Sequence, residues 1–115
     1  MIEEGQVVLF SFPQTGGIDG KIRPALVLRK LPGQYSDWLI CMISTQLQQE
    51  IKGIDEIISP SDSDFIISGL KRKSLIRVTR LAVVPAYILH GKIGNISEER
   101  LNRMKKNISD WILGN

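Results

Sequence analysis

The sequence predicts a mainly β fold, a small and strongly bent β-barrel with one helix packed on it at the C-terminus. Three observations carry that reading. Short runs rich in β-branched and aromatic residues recur along the chain, parted by turns bearing Gly and Pro. The one long segment with helical periodicity is the last. No repeat, low-complexity tract or linker interrupts the 115 residues, so residues 1–115 read as a single domain.

Taken in order, residues 6–12 (QVVLFSF) are β-rich in composition but alternate only in part. Residues 13–22 (PQTGGIDGKI) follow as a turn or long loop. Residues 23–30 (RPALVLRK) form a second strand, residues 31–36 (LPGQYS) a turn, and residues 37–45 (DWLICMIST) a third strand. Such runs, divided by turns, read as an antiparallel meander. Residues 54–59 (IDEIIS) are a short fourth strand. Within residues 59–70 (SPSDSDFIISGL), Ser and Asp cap a short helix that Gly69 ends. Residues 74–84 (SLIRVTRLAVV) make a long strand that Pro85 terminates. Its period of two places Arg77 and Thr79 on one face, Val78 and Arg80 on the other. A short strand follows around residues 90–93. Ser97 is the N-cap of the last helix, and Glu98 and Glu99 complement the dipole of its first turn. Leu101, Met104, Ile108, Trp111 and Ile112 recur at three- and four-residue steps, an apolar stripe packed on the barrel up to Gly114.

Composition removes several classes of function. Apolar residues make up 43% of the chain and charged residues 23%, which fits a globular protein and excludes a disordered one. Cys41 is the only cysteine, so no intrachain disulfide framework exists, and a reducing compartment is implied. The first ten residues lack the features of a signal peptide, and no apolar run spans a bilayer; a soluble, cytoplasmic protein is expected. His90 is the only histidine, which excludes catalysis by a histidine pair and favours a structural role for it. Asp55, Glu56, Asp62 and Asp64 are scattered and read as a solvated acidic segment, so no metal site is expected. Gly16, Gly17 and Gly20 do not have phosphate-loop spacing. No cofactor is implied.

What remains for chemistry is Arg, Lys, Ser, Thr and backbone donors. That set suits a phosphate, whose developing negative charge is met by fixed positive charge and hydrogen bonds. The formal net charge is +3, and Lys71, Arg72, Lys73, Arg77 and Arg80 fall within ten residues. This permits nucleic-acid binding without requiring it. Arg23 stands where an apolar strand begins, and Pro24 holds its backbone extended. It is either solvated at the rim or aimed at an anion. Ser44 and Thr45 end the neighbouring strand, where short hydroxyls satisfy the next turn or face a ligand. The basic run 71–73 is either a solvated turn or a steering patch. Tyr35 and Trp38 either stack on bases or pack, with packing favoured for Trp38.

Four stretches carry a resemblance: GQVVLFSFPQTGGIDGKIRPALVL (5–28), CMISTQ (41–46), GLKRKSLIRVTRL (69–81) and KIGNISEERL (92–101). In order and spacing they resemble the PemK/MazF-like toxins of bacterial toxin–antitoxin pairs, over nearly the whole chain. The resemblance implies an SH3-like barrel, a homodimer, and a metal-independent endoribonuclease that cuts single-stranded RNA at short sequences. It implies a cognate antitoxin whose extended tail covers the RNA groove. The family's catalytic arginine falls on Arg23, and its catalytic threonine falls on Ser44, with Thr45 one place on. Serine there keeps the hydroxyl and loses a methyl group. Lys21 is placed to touch a phosphate, Gln14 and Gln46 to read base edges, and Arg77 to line the groove. The competing reading is a binding module on the same barrel, catalytically inactive or inhibiting gyrase as the CcdB relatives do.

Overall fold

The partial alternation of the apolar runs has a structural cause: the central strands are covered on both faces. The computed structural model describes residues 1–11 and 21–114. Its strands are β1 (Gln6–Phe10), β2 (Arg23–Lys30), β3 (Asp37–Ser44), β4 (Glu56–Ile58), β5 (Ser74–Pro85) and β6 (Leu89–Asn95). The helices are α1 (Phe65–Ser68) and α2 (Glu98–Ile112). The strands form one antiparallel sheet in the order β4-β5-β3-β2-β1-β6. Val7, Leu26, Leu28, Cys41 and Ile43 face one core together with Leu101 and Met104 of α2. Val8, Phe10, Ala25, Val27 and Ile40 face a second, with Trp38. Two buried faces make successive residues apolar, which blurs the period-two signal. Trp38 therefore packs, as expected.

The fold is mainly β with a C-terminal helix, as predicted, but among the described residues the hydrogen-bonded ladder does not close: β4 and β6 end the sheet. Helix α1 abuts β6 instead. The approach is close enough that a Cβ on Gly94 would meet the Ile67 carbonyl, and one on Gly69 would meet the Ile93 carbonyl. Gly69 also ends α1 in the left-handed region, at φ 74°.

Helix α2 begins as predicted. Ser97 accepts the backbone N–H of Arg100, and Glu98 and Glu99 lie in the first turn. Burying Leu101 and Met104 contributes about 2 kcal/mol each. The apolar stripe outruns the core, however. Trp111 is 52% exposed and Ile112 66%, so Trp111 does not pack as expected.

The acidic segment is also not the solvated one expected. Arg100 is buried beside Met104, and Asp64, Asp62 and Glu56 converge on it at 2.8, 3.0 and 3.0 Å. Asp64 does not cap α1 with its side chain. Its carboxylate accepts the Ser97 N–H at 3.0 Å and pairs with Arg100. Burial alone would raise the Asp64 pKa, but the bonds from Arg100 and Ser97 outweigh it and lower it to about 2. Arg103 adds a second guanidinium on Glu56, at 2.6 Å. Asp55 is buried as well and accepts the Ile51 N–H. Among the described residues no helix is long and apolar enough to cross a membrane.

Candidate active site

β2 and β3 pair with Ala25 opposite Met42. Two further residues along each strand bring Arg23 and Ser44 to the same end of the pair. Both line a cavity of about 510 Å³ between β2, β3 and β5, completed by the 3-10 turn Leu47–Gln49. Gln46, Gln49, Arg77 and Arg80 supply its other polar groups. Three guanidiniums thus share one concavity, and no acidic side chain lines it among the described residues. Such a hollow concentrates positive potential and favours anions.

The side chains are differently held. Arg23 and Arg80 are exposed and have no hydrogen-bond or ion-pair partner among the described residues. Arg77 is half-buried; it donates from Nη1 to Gln49 Oε1 at 2.9 Å, and its buried Nε has no partner among the described residues. Ser44 Oγ accepts the Gln46 backbone N–H at 3.0 Å. That bond uses a lone pair and leaves the hydroxyl proton available to a ligand oxygen. Gln46 Oε1 is occupied by Gln48 Nε2 at 2.8 Å, which leaves the Gln46 amide donors for the cavity.

Arg23, Ser44, Gln46 and Arg77 are brought together, whereas Thr45 is exposed and does not line the cavity. Lys21 is exposed just before β2 and outside the lining. Gln14 lies outside the described residues. Tyr35 is exposed and Trp38 buried, and neither borders the cavity. His90 Nε2 lies 2.9 Å from Ser11 Oγ. Among the described residues no group of three His, Cys, Asp or Glu is arranged to hold a metal ion.

Sequence reasoning missed Arg80 and Gln49. The strict alternation expected in β5 separates Arg77 from Arg80. It fails because the β3–β5 register breaks: Cys41 pairs with Leu81, yet adjacent Met42 pairs with Arg77. Val78, Thr79 and Arg80 are accommodated in that irregularity, and both arginines reach one cavity. Nothing in the residue types of β5 announces the break. Gln49 is placed by a turn whose sequence carries no marked signal.

Comparison with known proteins adds the rest. No curated protein sequence matches significantly. Among solved structures, the Mycobacterium tuberculosis toxin MazF-mt6 superposes with a TM-score of 0.66 at 15% identity, covering 91% of this chain and 93% of that one. An endoribonuclease in complex with its cognate antitoxin, from a mycobacterial species, gives 0.66 at 14% identity, covering 99% and 96%. At such identities these likenesses speak for the fold. The family model for the PemK-like, MazF-like toxin of type II toxin–antitoxin systems matches residues 3–112. With nearly the whole length matched, this chain belongs to the PemK/MazF-like toxins of type II toxin–antitoxin systems.

Proposed function

We propose that this chain is an endoribonuclease toxin that cuts single-stranded RNA in the cytoplasm without a divalent cation. The observation that carries the reading is the cavity in which Arg23, Arg77 and Arg80 meet the Ser44 hydroxyl with no acidic neighbour. The RNA 2′-hydroxyl attacks the adjacent phosphorus; its oxygen forms the new P–O bond and its proton leaves to solvent. The bond to the 5′-oxygen breaks, and that oxygen takes up a proton. The products are a 2′,3′-cyclic phosphate and a 5′-hydroxyl. The bound geometry supplies in-line alignment. Arg23 neutralises charge growing on the non-bridging oxygens and stands as the donor to the leaving oxygen. Ser44 donates its hydroxyl proton to the phosphate, in the role the family gives to threonine. Gln46 offers amide donors to a base edge, since unpaired bases expose theirs. Arg77 completes the positive wall, and Lys21 meets the backbone farther out.

A homodimer and a cognate antitoxin belong to this reading. The antitoxin complex among the structural neighbours supports the latter. The test is purified protein on long single-stranded RNA with excess EDTA. Cleavage leaving cyclic phosphate ends is expected. Arg23→Ala lowers kcat/KM about 10²–10³-fold, the scale of a lost oxyanion donor, with an unchanged melting curve. Intact RNA with the unaltered protein overturns the reading in favour of a binding module, and inhibited gyrase would say which.

A further inference from the structure

We propose that Arg80 binds a second, non-scissile phosphate, so that the cavity grips two phosphates of one RNA strand. The scissile phosphate sits at Arg23 and Ser44, and its neighbour at Arg80. The proposal deepens the nuclease reading and rests on it for the identity of the ligand.

Three observations carry it. The cavity, at about 510 Å³, is of a size that takes drug-sized ligands, more than a single phosphate needs. Its arginines are not equivalent. Arg77 is tied to Gln49, whereas Arg80 is exposed and has no partner among the described residues, so its donors are free for a ligand. Arg80 reaches the cavity at a break in the β3–β5 pairing, between Arg77 and Leu81. An irregularity of this kind gives up ladder hydrogen bonds, and its effect here is to re-aim one guanidinium into the cavity. A solvated rim arginine needs no such rearrangement.

The experiment measures binding of a short single-stranded RNA methylated at every 2′-hydroxyl, which has no nucleophile for its own cleavage. Affinity is followed by fluorescence anisotropy across a salt series. The control is Arg29→Gln, which removes the same charge from an exposed arginine about 20 Å along β2 from Arg23. Arg80→Gln is expected to weaken binding about tenfold. It should also flatten the slope of log affinity against log salt by about 0.7, the loss of one single-strand phosphate contact. Arg29→Gln should change affinity less than about twofold, on the view that a screened distant charge contributes little. Arg80→Lys, which keeps the charge, should keep the slope. Equal effects of Arg80→Gln and Arg29→Gln, an unchanged slope, or no binding by the unaltered protein overturns the proposal. The two readings fail separately. Protein that binds the methylated strand through Arg80 but leaves ordinary RNA intact loses the nuclease reading alone. Protein that cleaves while Arg80→Gln behaves like Arg29→Gln loses only the second phosphate.

Discussion

At Ser44 strand β3 ends inside the cavity, and one residue later Thr45 is exposed beyond its lining. Successive strand residues point to opposite faces, so the two hydroxyls cannot substitute for one another without a slip of register. On the proposed mechanism Ser44→Ala removes a hydrogen bond to a charged phosphate and should lower kcat/KM about 10–100-fold; Thr45→Ala should stay within about twofold. An RNA-cleavage assay on both variants checks this, and the reverse order would move the working hydroxyl to Thr45. The cluster was legible only in part. Arg23 could be marked because a guanidinium at the mouth of an apolar strand is anomalous; Ser44 and Thr45 end the neighbouring run together, and only the family resemblance preferred Ser44. Arg80 could not be marked, since a charged residue on a long strand is unremarkable until the pairing of that strand is known.

Among the elements, α2 owes its position to a charge buried on its inner face. Arg100, Met104 and Ile108 follow one another at four-residue steps, so Arg100 falls on the apolar stripe. A guanidinium there demands acid partners, and Glu56, Asp62 and Asp64 provide them. The stripe was visible in the sequence, and the misplaced arginine was the overlooked signal. Which acids would answer it depended on how residues 55–64 fold back, which no local pattern states. Asp64→Ala leaves Arg100 short of its buried partner and the Ser97 N–H unsatisfied, and should destabilise the protein by about 3 kcal/mol in a denaturant titration. The pH dependence has a definite sign. Folding lowers the Asp64 pKa to about 2, so its stabilisation is complete above the ordinary carboxylate value near 4 and fades as pH falls toward 2. About 2 kcal/mol should be lost across that window. The Asp64→Asn variant should lose visibly less there, and an identical acid profile for the two proteins would remove Asp64 from the account.

For the molecule as a whole, Cys41 is a built-in reporter. It lies at the centre of β3 with no exposed surface, and burial, with the Asp55 charge adding to it, pushes its thiol well above the usual range. The thiolate is the reactive form, so a thiol reagent must wait for the protein to open. Labelling under native conditions should be at least about 10³ times slower than in denaturant, following the population of the unfolded state. Fast labelling of intact protein would show a local opening at β3. The succession of strands was readable because turn residues punctuate it. The open ladder was not, because no local pattern states which strand ends meet; nor was the approach of α1 to β6, which a side chain at Gly69 or Gly94 would block.

That approach has a consequence for how other chains can dock. An incoming extended segment commonly lengthens a sheet by bonding to a bare rim strand. Here one rim, β4, is three residues long, and α1 lies across the other where Ile93 and Gly94 run. The rim beyond β4 is not covered in the same way: β4 pairs only residues 74–76 of the 12-residue β5, so residues 77–85 have no strand on their outer side among the described residues. For an extended partner tail the approach of α1 thus closes one place for strand addition, along Ile93 and Gly94, and leaves the arginine-lined hollow open to acidic side groups.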